Sequence, residues 1–493
     1  MTMIKSLILG SAAGMIAMSG AQAADLPVKA KAVEYVKVCS LYGAGFYYIP
    51  GTDTCLKIGG FIRVDSSFNA SGVYGTPYFG GVGLSNTRAK DYFIGRVRAS
   101  LQMDSRTATE YGVLRTFLDT KFQWSDGLAA DTIAGGNNEV DLAFIQFAGF
   151  TIGKAVSQFD TQWVLAHPSI SSGFTGGSDN KTGIPQLAYT ASFGNGFSAT
   201  IAAETPRPYR KGFIYDVNDT LGVPGVTTFV DSTSGQMMPD FVGNLRLDQA
   251  WGSLHLGAAV HQVAMQYNGI PGSNSATTQL TGNFEDKYGF AVTGGFELKN
   301  LPTGVGDTLR GDFTYANGAT RYVFGGTSNI PGSGFAIYNG NSVSFGQYFD
   351  AVFSSPGGAI VSRDLQLSTD FAARLFYEHY WNPAWRTSLW GVYARHENTD
   401  TGNAIMMAKY NNTYGGGLTG NANFTVYQVG SRTAWTPVKN LTFSAEVSYV
   451  WLDNNISGVI TPATNPYPNR NLQAVGVSDQ GSVVGQVQAV RSF

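Results

Sequence analysis

The clearest pattern in the chain is an alternation of apolar and polar residues within segments of about ten residues. In 441–452, LTFSAEVSYVWL, the odd positions include Leu441, Phe443 and Val447, and the even positions include Thr442 and Glu446. Residues two apart share one face of a β-strand, whereas a helix would scatter them around its circumference. The segment is therefore predicted to be a strand with one apolar face and one aqueous face.

The same alternation predicts sixteen strands, an even number of the kind that bacterial outer-membrane barrels have. The predicted strands are 56–68, 91–105, 109–124, 139–149, 150–160, 183–193, 197–205, 239–251, 253–267, 284–299, 307–323, 368–381, 385–398, 423–435, 441–453 and 481–493.

The connections between these strands alternate in length. The short ones include 194–196, 251–253, 381–384 and 437–440. The long ones, rich in Gly, Asn, Ser and Pro, include 207–237, 324–367, 399–422 and 454–480. Short turns at one end and long loops at the other are typical of a barrel with periplasmic turns and extracellular loops.

Composition supports the same fold class. Charged residues make up 13% of the chain, with 62 Gly, 31 Phe and 25 Tyr, against about 25% charged residues in a typical soluble domain. After residue 23 there is no apolar run of about 18 residues that could form a spanning helix. We therefore predict an all-β chain, a transmembrane antiparallel β-barrel in the outer membrane. A net charge of −2 gives no reason to expect nucleic acid as a partner.

Four tryptophans lie beside the short turns. They are Trp251, Trp381, Trp385 and Trp435. Tryptophan favours the boundary between membrane and water, so these side chains are predicted to form an aromatic girdle on the periplasmic side.

The first residues have the pattern of a secretory signal. Lys5 precedes an apolar run, and Ala21-Gln22-Ala23 has the small-x-small pattern of a cleavage site. We expect residues 1–23 to be a signal peptide that is removed after Ala23. Export implies an oxidising compartment in which a disulfide persists.

Cys39 and Cys55 are the two cysteines of the chain. Their spacing is not the C-x-x-C of a redox pair, Lys37 disfavours a lipid anchor, and no further ligands cluster nearby to complete a metal site. We predict a structural disulfide within a periplasmic segment, 24–55, that precedes the barrel at 56–493. Pro50 and Gly51 suit the centre of a type II turn between the two cysteines. A loop of this length gives a nominal stabilisation of about 3 kcal/mol.

Several blocks of the sequence resemble the trimeric sixteen-stranded porins of alphaproteobacteria. The blocks are MIKSLILGSAAG…SGAQAAD, AVEYVKVCSLYGAGFYYIPGTDTCLKIGGFIRVD at 32–65, LAFIQFAGFTIGKAVSQFD at 142–160, NGFSATIA at 195–202 and the terminal RSF. The resemblance implies passive diffusion of small hydrophilic solutes and ions through a homotrimer that contacts outer-membrane lipid and lipopolysaccharide. It also implies that the third long loop folds into the lumen. The loops 207–237 and 324–367 carry nothing diagnostic of the family.

The resemblance places the constriction loop at 161–182, after the fifth strand. Asp160 lies at its entrance, and His167, Asp179 and Lys181 lie within it. Strand parity points Arg63, Arg96, Arg98 and Arg115 into the lumen, where they are expected to repel one another and line a wide wall without pairing. Further inward charges are expected at Asp65, Asp119, Lys121 and Asp141, and around the remaining lumen at Arg246, Asp248, Arg310, Asp312, Arg374, Glu378, Arg432 and Glu446.

Charges on both sides of the constriction predict a transverse field that orients dipolar solutes. Because the loop is weakly acidic, strong ion selectivity is not expected.

Alternative functions remain at this point. The chain has no G-x-S-x-G, H-E-x-x-H, Walker or strand-following G-x-G-x-x-G motif, so we expect neither an enzyme nor a cofactor. A solute-specific channel is one alternative, and a barrel whose long loops serve adhesion, or an enzymatic barrel, is another. A soluble β-sandwich would leave the apolar row of 441–452 unexplained.

Overall fold

The computed structural model describes residues 37–69, 92–125, 137–164, 166–171, 176–177, 182–206, 212–217, 230–231, 233–265, 285–325, 334–339, 342–354, 362–460 and 474–493. The predicted signal peptide and its cleavage site lie outside the described residues. Within those ranges, no helix has the length and apolar character that a membrane crossing requires.

Sixteen antiparallel strands of the described chain close into one barrel. They are β1 (Thr54–Phe68), β2 (Phe93–Thr109), β3 (Gly112–Ser125), β4 (Asn137–Phe147), β5 (Phe150–Ala155), β6 (Ile184–Gly194), β7 (Phe197–Glu204), β8 (Asp240–Gln249), β9 (Gly252–Val263), β10 (Lys287–Lys299), β11 (Thr308–Asn317), β12 (Thr369–Asn382), β13 (Trp385–Glu397), β14 (Thr419–Val438), β15 (Leu441–Ile460) and β16 (Gln480–Ser492). Each strand pairs with the next along the chain, and β16 pairs with β1 to close the barrel.

The alternation seen in the sequence corresponds to the two faces of the barrel wall. On β15, Val447 is 61% exposed on the outside, whereas its neighbour Glu446 is 2% exposed on the inside. Apolar side chains such as Ile62 and Leu256 likewise cover the outer surface. A lipid-facing outer surface of this kind is what a transmembrane barrel requires, so the predicted fold class is confirmed.

Two predicted strands are shorter in the structure. The segment predicted as 150–160 ends as a strand at Ala155, because Ser157 and Gln158 turn away to donate hydrogen bonds to Glu204. The segment predicted as 307–323 ends at Asn317 and continues into a 3₁₀ turn, Thr320–Tyr322. By contrast, β15 extends to Ile460, seven residues beyond its predicted end at 453.

The short connections lie together at one end of the barrel, as predicted. They are 110–111, 148–149, 195–196, 250–251, 300–307, 383–384 and 439–440. The tryptophans of the predicted girdle are exposed at this end, and Trp385 stacks on Trp435 with ring centres 5.7 Å apart. This end corresponds to the periplasmic side.

The connections at the opposite end contain more regular structure than their loop-like composition predicts. A hairpin, Gly334–Asn339 with Ser342–Gln347, pairs with the strand Val475–Val477. A separate four-stranded sheet contains Ile214–Val217, Val230–Asp231, Ala351–Ser354 and Ser362–Leu367. Helix α1, Asp400–Tyr414, begins at Thr399, whose side chain caps Gly402, and ends at Gly415.

The N-terminal segment is joined to the periplasmic end of β1 by a disulfide. Cys39 and Cys55 form this bond, with their Cα atoms 6.0 Å apart, and both are buried. Tyr48 lies opposite Cys55 in a short antiparallel pairing. Gly51 has a φ of +77°, which the third position of a type II turn requires. The predicted disulfide and its turn are thus present.

Candidate functional site

The inner face of the barrel is most polar on six neighbouring strands, β16 and β1–β5. We call the inward side chains of these strands the polar arc; they include Gln486, Asp65, Arg96, Arg98, Asp119, Lys121, Asp141 and Thr151. They alternate with outward apolar residues, so strand parity alone places them toward the lumen.

The loop between β5 and β6, residues 156–183, is called L3. It turns inward at its first residues, where Ser157 Oγ and the Gln158 amide donate to Glu204 at 2.8 and 2.7 Å. The carbonyl of Phe159 then accepts a hydrogen bond from His255 Nε2 on the inner face of β9 at 3.0 Å. These contacts direct the loop across the lumen.

L3 continues along the wall opposite the polar arc. Trp163 packs edge-on against Phe376 of β12, with ring centres 5.5 Å apart. Ser388 Oγ of β13 donates to the carbonyl of Pro168 at 2.5 Å. Successive contacts on β9, β12 and β13 hold the loop inside the barrel, as the fold prediction required.

Glu446 of β15 binds the far end of this stretch. Its carboxylate accepts the amides of Ile170 at 2.6 Å and Ser171 at 3.1 Å. Ser171 Oγ also donates to Gln486 of β16 at 2.7 Å. The carboxylate is 2% exposed, so L3 is docked by a charge-assisted contact that is largely protected from water.

Two glycines allow L3 to return. Gly176 and Gly177 have φ values of +97° and +79°, which side chains other than glycine rarely tolerate. A Cβ at Gly176 would lie 2.9 Å from Arg374 Nε, and one at Gly177 would lie 2.7 Å from Asp160 Oδ1. Asp160 therefore lies beside the returning loop, next to Arg374. Predicted Asp179 and Lys181 lie outside the described residues.

His167 adds no charge to L3 at neutral pH. Burial lowers the pKa of His167 to about 3, and the guanidinium groups of Arg374 and Arg432 add to this effect. The Nδ1 atom lies 2.6 Å from Ser169 Oγ, and the ring stacks on Phe376. Its role in the described contacts is packing and hydrogen bonding within the loop.

The prediction that the inward arginines line the wall without pairing is wrong. Arg96 contacts Asp65 at 2.6 Å, and Arg63 contacts the same carboxylate at 3.1 Å. Arg98 lies 3.5 Å from Glu139 and donates to Gln123 at 2.8 Å. Asp65 lies directly opposite Arg96 in register and contacts both Arg96 and Arg63, although the same register also places Arg63 opposite Arg98.

The other predicted charges of the arc have partners of their own. Lys121 forms an ion pair with Asp141, and Asp119 accepts hydrogen bonds from Ser100 and Gln102 at 2.7 and 3.0 Å. The arc is therefore an alternating set of positive and negative groups.

Arg115 lies elsewhere. It contacts Asp104 at 3.0 Å and is in register with Arg106 near the periplasmic turn. Eight residues along β3 separate it from Gln123, the register partner of Arg98, which corresponds to about 26 Å. Three of the four predicted arginines, Arg63, Arg96 and Arg98, are thus brought together, and Arg115 is not.

The predicted charges on the remaining wall also form local pairs. Arg374 contacts Asp312, Arg310 contacts Glu297, Arg386 contacts Glu378, and Arg246 contacts Asp248. Below L3, the β4–β9 side of the lumen opens into a cavity of about 660 Å³ whose lining includes Thr190, Ser198 and Arg246.

One group of buried charges was missed by the sequence analysis. Arg321 Nε contacts Asp240 at 3.1 Å, Tyr322 donates to the same carboxylate at 2.7 Å, and His261 Nδ1 lies 2.7 Å from it. The group lies at the extracellular ends of the strands and includes Glu204, 3.6 Å from Arg321. Part of the signal was available, because parity directs Asp240 and His261 inward; their cationic partner Arg321 was not recognised because it was placed in the predicted strand 307–323.

Comparison with known proteins gives the family. A profile of the family described as "Porin subfamily" matches residues 25–484. This chain belongs to that porin family. The porin is 33% identical over 299 residues to "Porin Omp2b" of Brucella suis, which covers 59% of this chain and 75% of that protein. It is also 33% identical to "Porin Omp2b" of Brucella abortus (strain 2308) over 300 residues, with the same shares of each chain.

A solved structure has the same fold as this porin. The outer membrane channel DcaP of Acinetobacter baumannii superposes with a TM-score of 0.57 at 16% identity, covering 90% of this chain and 99% of that one. Family, relatives and barrel together identify a β-barrel channel of the outer membrane that lets small hydrophilic solutes and ions diffuse passively. The family and these relatives are channels and not enzymes.

Proposed function

We propose that solutes cross this porin through a passage bounded by L3 on one side and by the polar arc on the other. The observation that carries the proposal is the docking of L3 on Glu446 of β15, which holds the end of the loop against the inner wall beside the β16 edge of the arc. The constriction is then formed by Arg63, Arg96, Arg98 and Asp119 of the arc and by Asp160 at the loop entrance. Asp179 and Lys181 are included from the sequence analysis.

The charges of this passage support weak ion selectivity. The arc carries the cations Arg63, Arg96, Arg98 and Lys121 and the carboxylates Asp65, Asp119, Glu139 and Asp141. Opposite charges at contact distance largely cancel at the distance of a passing solute. The passage therefore favours small polar molecules of either charge, and its transverse field is weaker than one from unpaired arginines.

We propose that the porin is a homotrimer embedded in lipid, with lipopolysaccharide around the extracellular rim; the apolar outer surface supports the contact with lipid or with another protomer. The outward residues of β1 and β2 include Ile62, Val64, Val97 and Leu101, all well exposed on the single chain. A continuous apolar surface of this kind needs lipid or another protomer to cover it.

Reconstitution in a planar bilayer tests the proposal. The purified porin is expected to give stepwise currents in groups of three. The conductance of each step should not saturate as the salt concentration rises. The double variant Arg96→Gln with Arg98→Gln is expected to shift the reversal potential toward the equilibrium potential of the cation, because it removes two positive charges from the arc. Arg246→Gln, which removes one charge from the cavity wall below L3, is the control and should produce a smaller shift per charge removed. Wild-type protein that gives no channels at any voltage would refute the proposal, and saturable block by one solute would favour a solute-specific channel.

A further inference from the structure

Small apolar side chains form a belt on the inner face of the barrel. On six consecutive strands one row of inward residues consists of Ala188, Ala202, Val242, Ala259, Ala291 and Ala316, and each is the register partner of the next. All six are buried. Strand parity assigns this face to water, yet these positions carry no polar group and little exposed surface.

The belt continues on four more strands after a shift of two residues. Ala372 pairs with Ala394, Ala394 with Val426, and Val426 with Leu452. The belt therefore runs from β6 to β15, and the polar arc occupies the remaining strands. This apolar row on the inner face requires something to cover it, because exposed apolar surface in an aqueous lumen is unfavourable.

The covering segment is the connection between β11 and β12, residues 318–368, which we call loop 6. Tyr322, Val323, Phe324, Phe335 and Tyr348 of loop 6 form one buried cluster with the belt. Phe324 stacks on Tyr348 with ring centres 4.9 Å apart and lies 5.8 Å from Phe424 of β14. Alanine at the belt leaves room for these rings beside the wall.

Loop 6 is held by polar contacts as well as by packing. Arg321 and Tyr322 bind Asp240 on β8. The amide of Thr320 donates to Asp350 at 2.7 Å, and Thr320 Oγ1 donates to Asp370 of β12 at 2.5 Å. These groups are buried, so their bonds are shielded from water and fix the position of the loop.

We propose that loop 6 is a resident plug that fills the extracellular half of the lumen above the belt and confines solutes to the polar arc. A buried cluster of aromatic rings offers no solvated path for an ion, because transfer of a charge into such a region is strongly unfavourable. The plug thereby sets the size limit of the channel together with L3. This inference rests on the channel function proposed above.

Removal of the hairpin tests the plug. Residues 334–347 are replaced by a short Gly-Ser linker, which keeps the Arg321 anchor and removes Phe335. The conductance of each step is expected to rise about twofold or more, because the open cross-section limits passage through a water-filled pore, and larger neutral sugars should enter. Unchanged conductance and an unchanged size limit in a folded variant would overturn the plug, while the wild-type channels would still support the proposed function.

A second measurement does not depend on that variant folding. Ala202→Cys places a thiol on the belt, and Ser198→Cys places one four residues away on the same face of β7, in the cavity below L3. A water-soluble methanethiosulfonate reagent, which exchanges its sulfinate for a mixed disulfide, should modify Ser198→Cys at least tenfold faster, read by mass spectrometry. Comparable rates for the two thiols would contradict a water-free belt and overturn the inference.

A disulfide that fixes the hairpin distinguishes a resident plug from a moving lid. Val343 of the hairpin is in register with Val477, and parallel neighbours lie close enough for a disulfide. The double variant Val343→Cys with Val477→Cys is expected to conduct equally when oxidised and reduced. A current that appears only after reduction would mean that the loop must move to open the channel, and would overturn a permanent plug.

Discussion

Replacing Glu446 by glutamine is expected to loosen L3 without altering the barrel. The carboxylate accepts the amides of Ile170 and Ser171. A glutamine side chain keeps one acceptor oxygen and turns an NH₂ group toward the other amide, so one donor loses its partner. The loss of one hydrogen bond to a charged group costs about 1.5–3 kcal/mol.

This free energy converts into a measurable population. At about 1.4 kcal/mol for each factor of ten, the undocked loop becomes roughly 10- to 150-fold more frequent. A loop end that leaves the inner wall at Glu446 enters the passage, so transient partial closures should become more frequent. Single-channel recording at high bandwidth measures them directly as open-channel noise.

Glu378→Gln is the matched control. Glu378 is also a carboxylate on the inner wall, but it contacts Arg386 at 3.2 Å and its loss removes the same charge from the lumen. The control is expected to change the reversal potential slightly and leave the closure rate close to that of the wild type. Equal closure rates in Glu446→Gln and Glu378→Gln would refute the docking role of Glu446.

Four further outcomes are expected. Replacing Cys39 and Cys55 by serine should destabilise the N-terminal segment by about 3 kcal/mol, seen as faster proteolysis of that segment with unchanged conductance. Because the pKa of His167 is lowered to about 3, docking of L3 should weaken as pH falls from about 6.5 toward 3. Closures should increase over this range, and His167→Gln should reduce the dependence, the remainder coming from protonation of the Glu446 carboxylate. Burial lowers the pKa of Lys409 on α1 to about 7, so the folded helix binds fewer protons than the unfolded helix between pH 7 and 10. The stability of the helix, measured as hydrogen-exchange protection, should therefore rise over this range, and Lys409→Met should abolish the rise. Arg321→Met should cost about 3 kcal/mol by leaving buried carboxylates without their cation, measured as a lower midpoint of thermal unfolding.

The barrel itself could be predicted because its physics is local. A strand between lipid and water must alternate, so the period of two in 441–452 was enough to place β15 and to direct Glu446 inward. The same argument placed Arg63, Arg96 and Arg98. Short turns and exposed tryptophans then gave the orientation.

Pairing across strands could not be read from single strands. Whether Arg96 faces another cation or a carboxylate depends on the register of β1 and β2, and a shift of two residues would move Asp65 away from it. The expectation of repelling arginines failed for this reason. Arg115 was misplaced in depth because parity gives the facing of a side chain and not its height in the barrel.

The plug was missed for a different reason. Loop 6 was taken as an ordinary connection because of its glycine and serine content, although GFAIY at 334–338 and SFGQYFDAVF at 344–353 are too apolar for an exposed loop. Alanines at inward positions such as Ala259 and Ala291 were a second signal. Neither could be interpreted until the strand register placed the alanines in one row.

The central claim is that solutes pass along the polar arc beside L3. Arg63→Cys places one thiol on the arc in a chain whose native cysteines are joined to each other. Addition of a positively charged methanethiosulfonate reagent during single-channel recording should abruptly lower the current of each open step. The lower current should persist until a reductant cleaves the mixed disulfide. A channel whose current is unaffected by complete modification of Arg63→Cys, verified by mass spectrometry, would contradict the account.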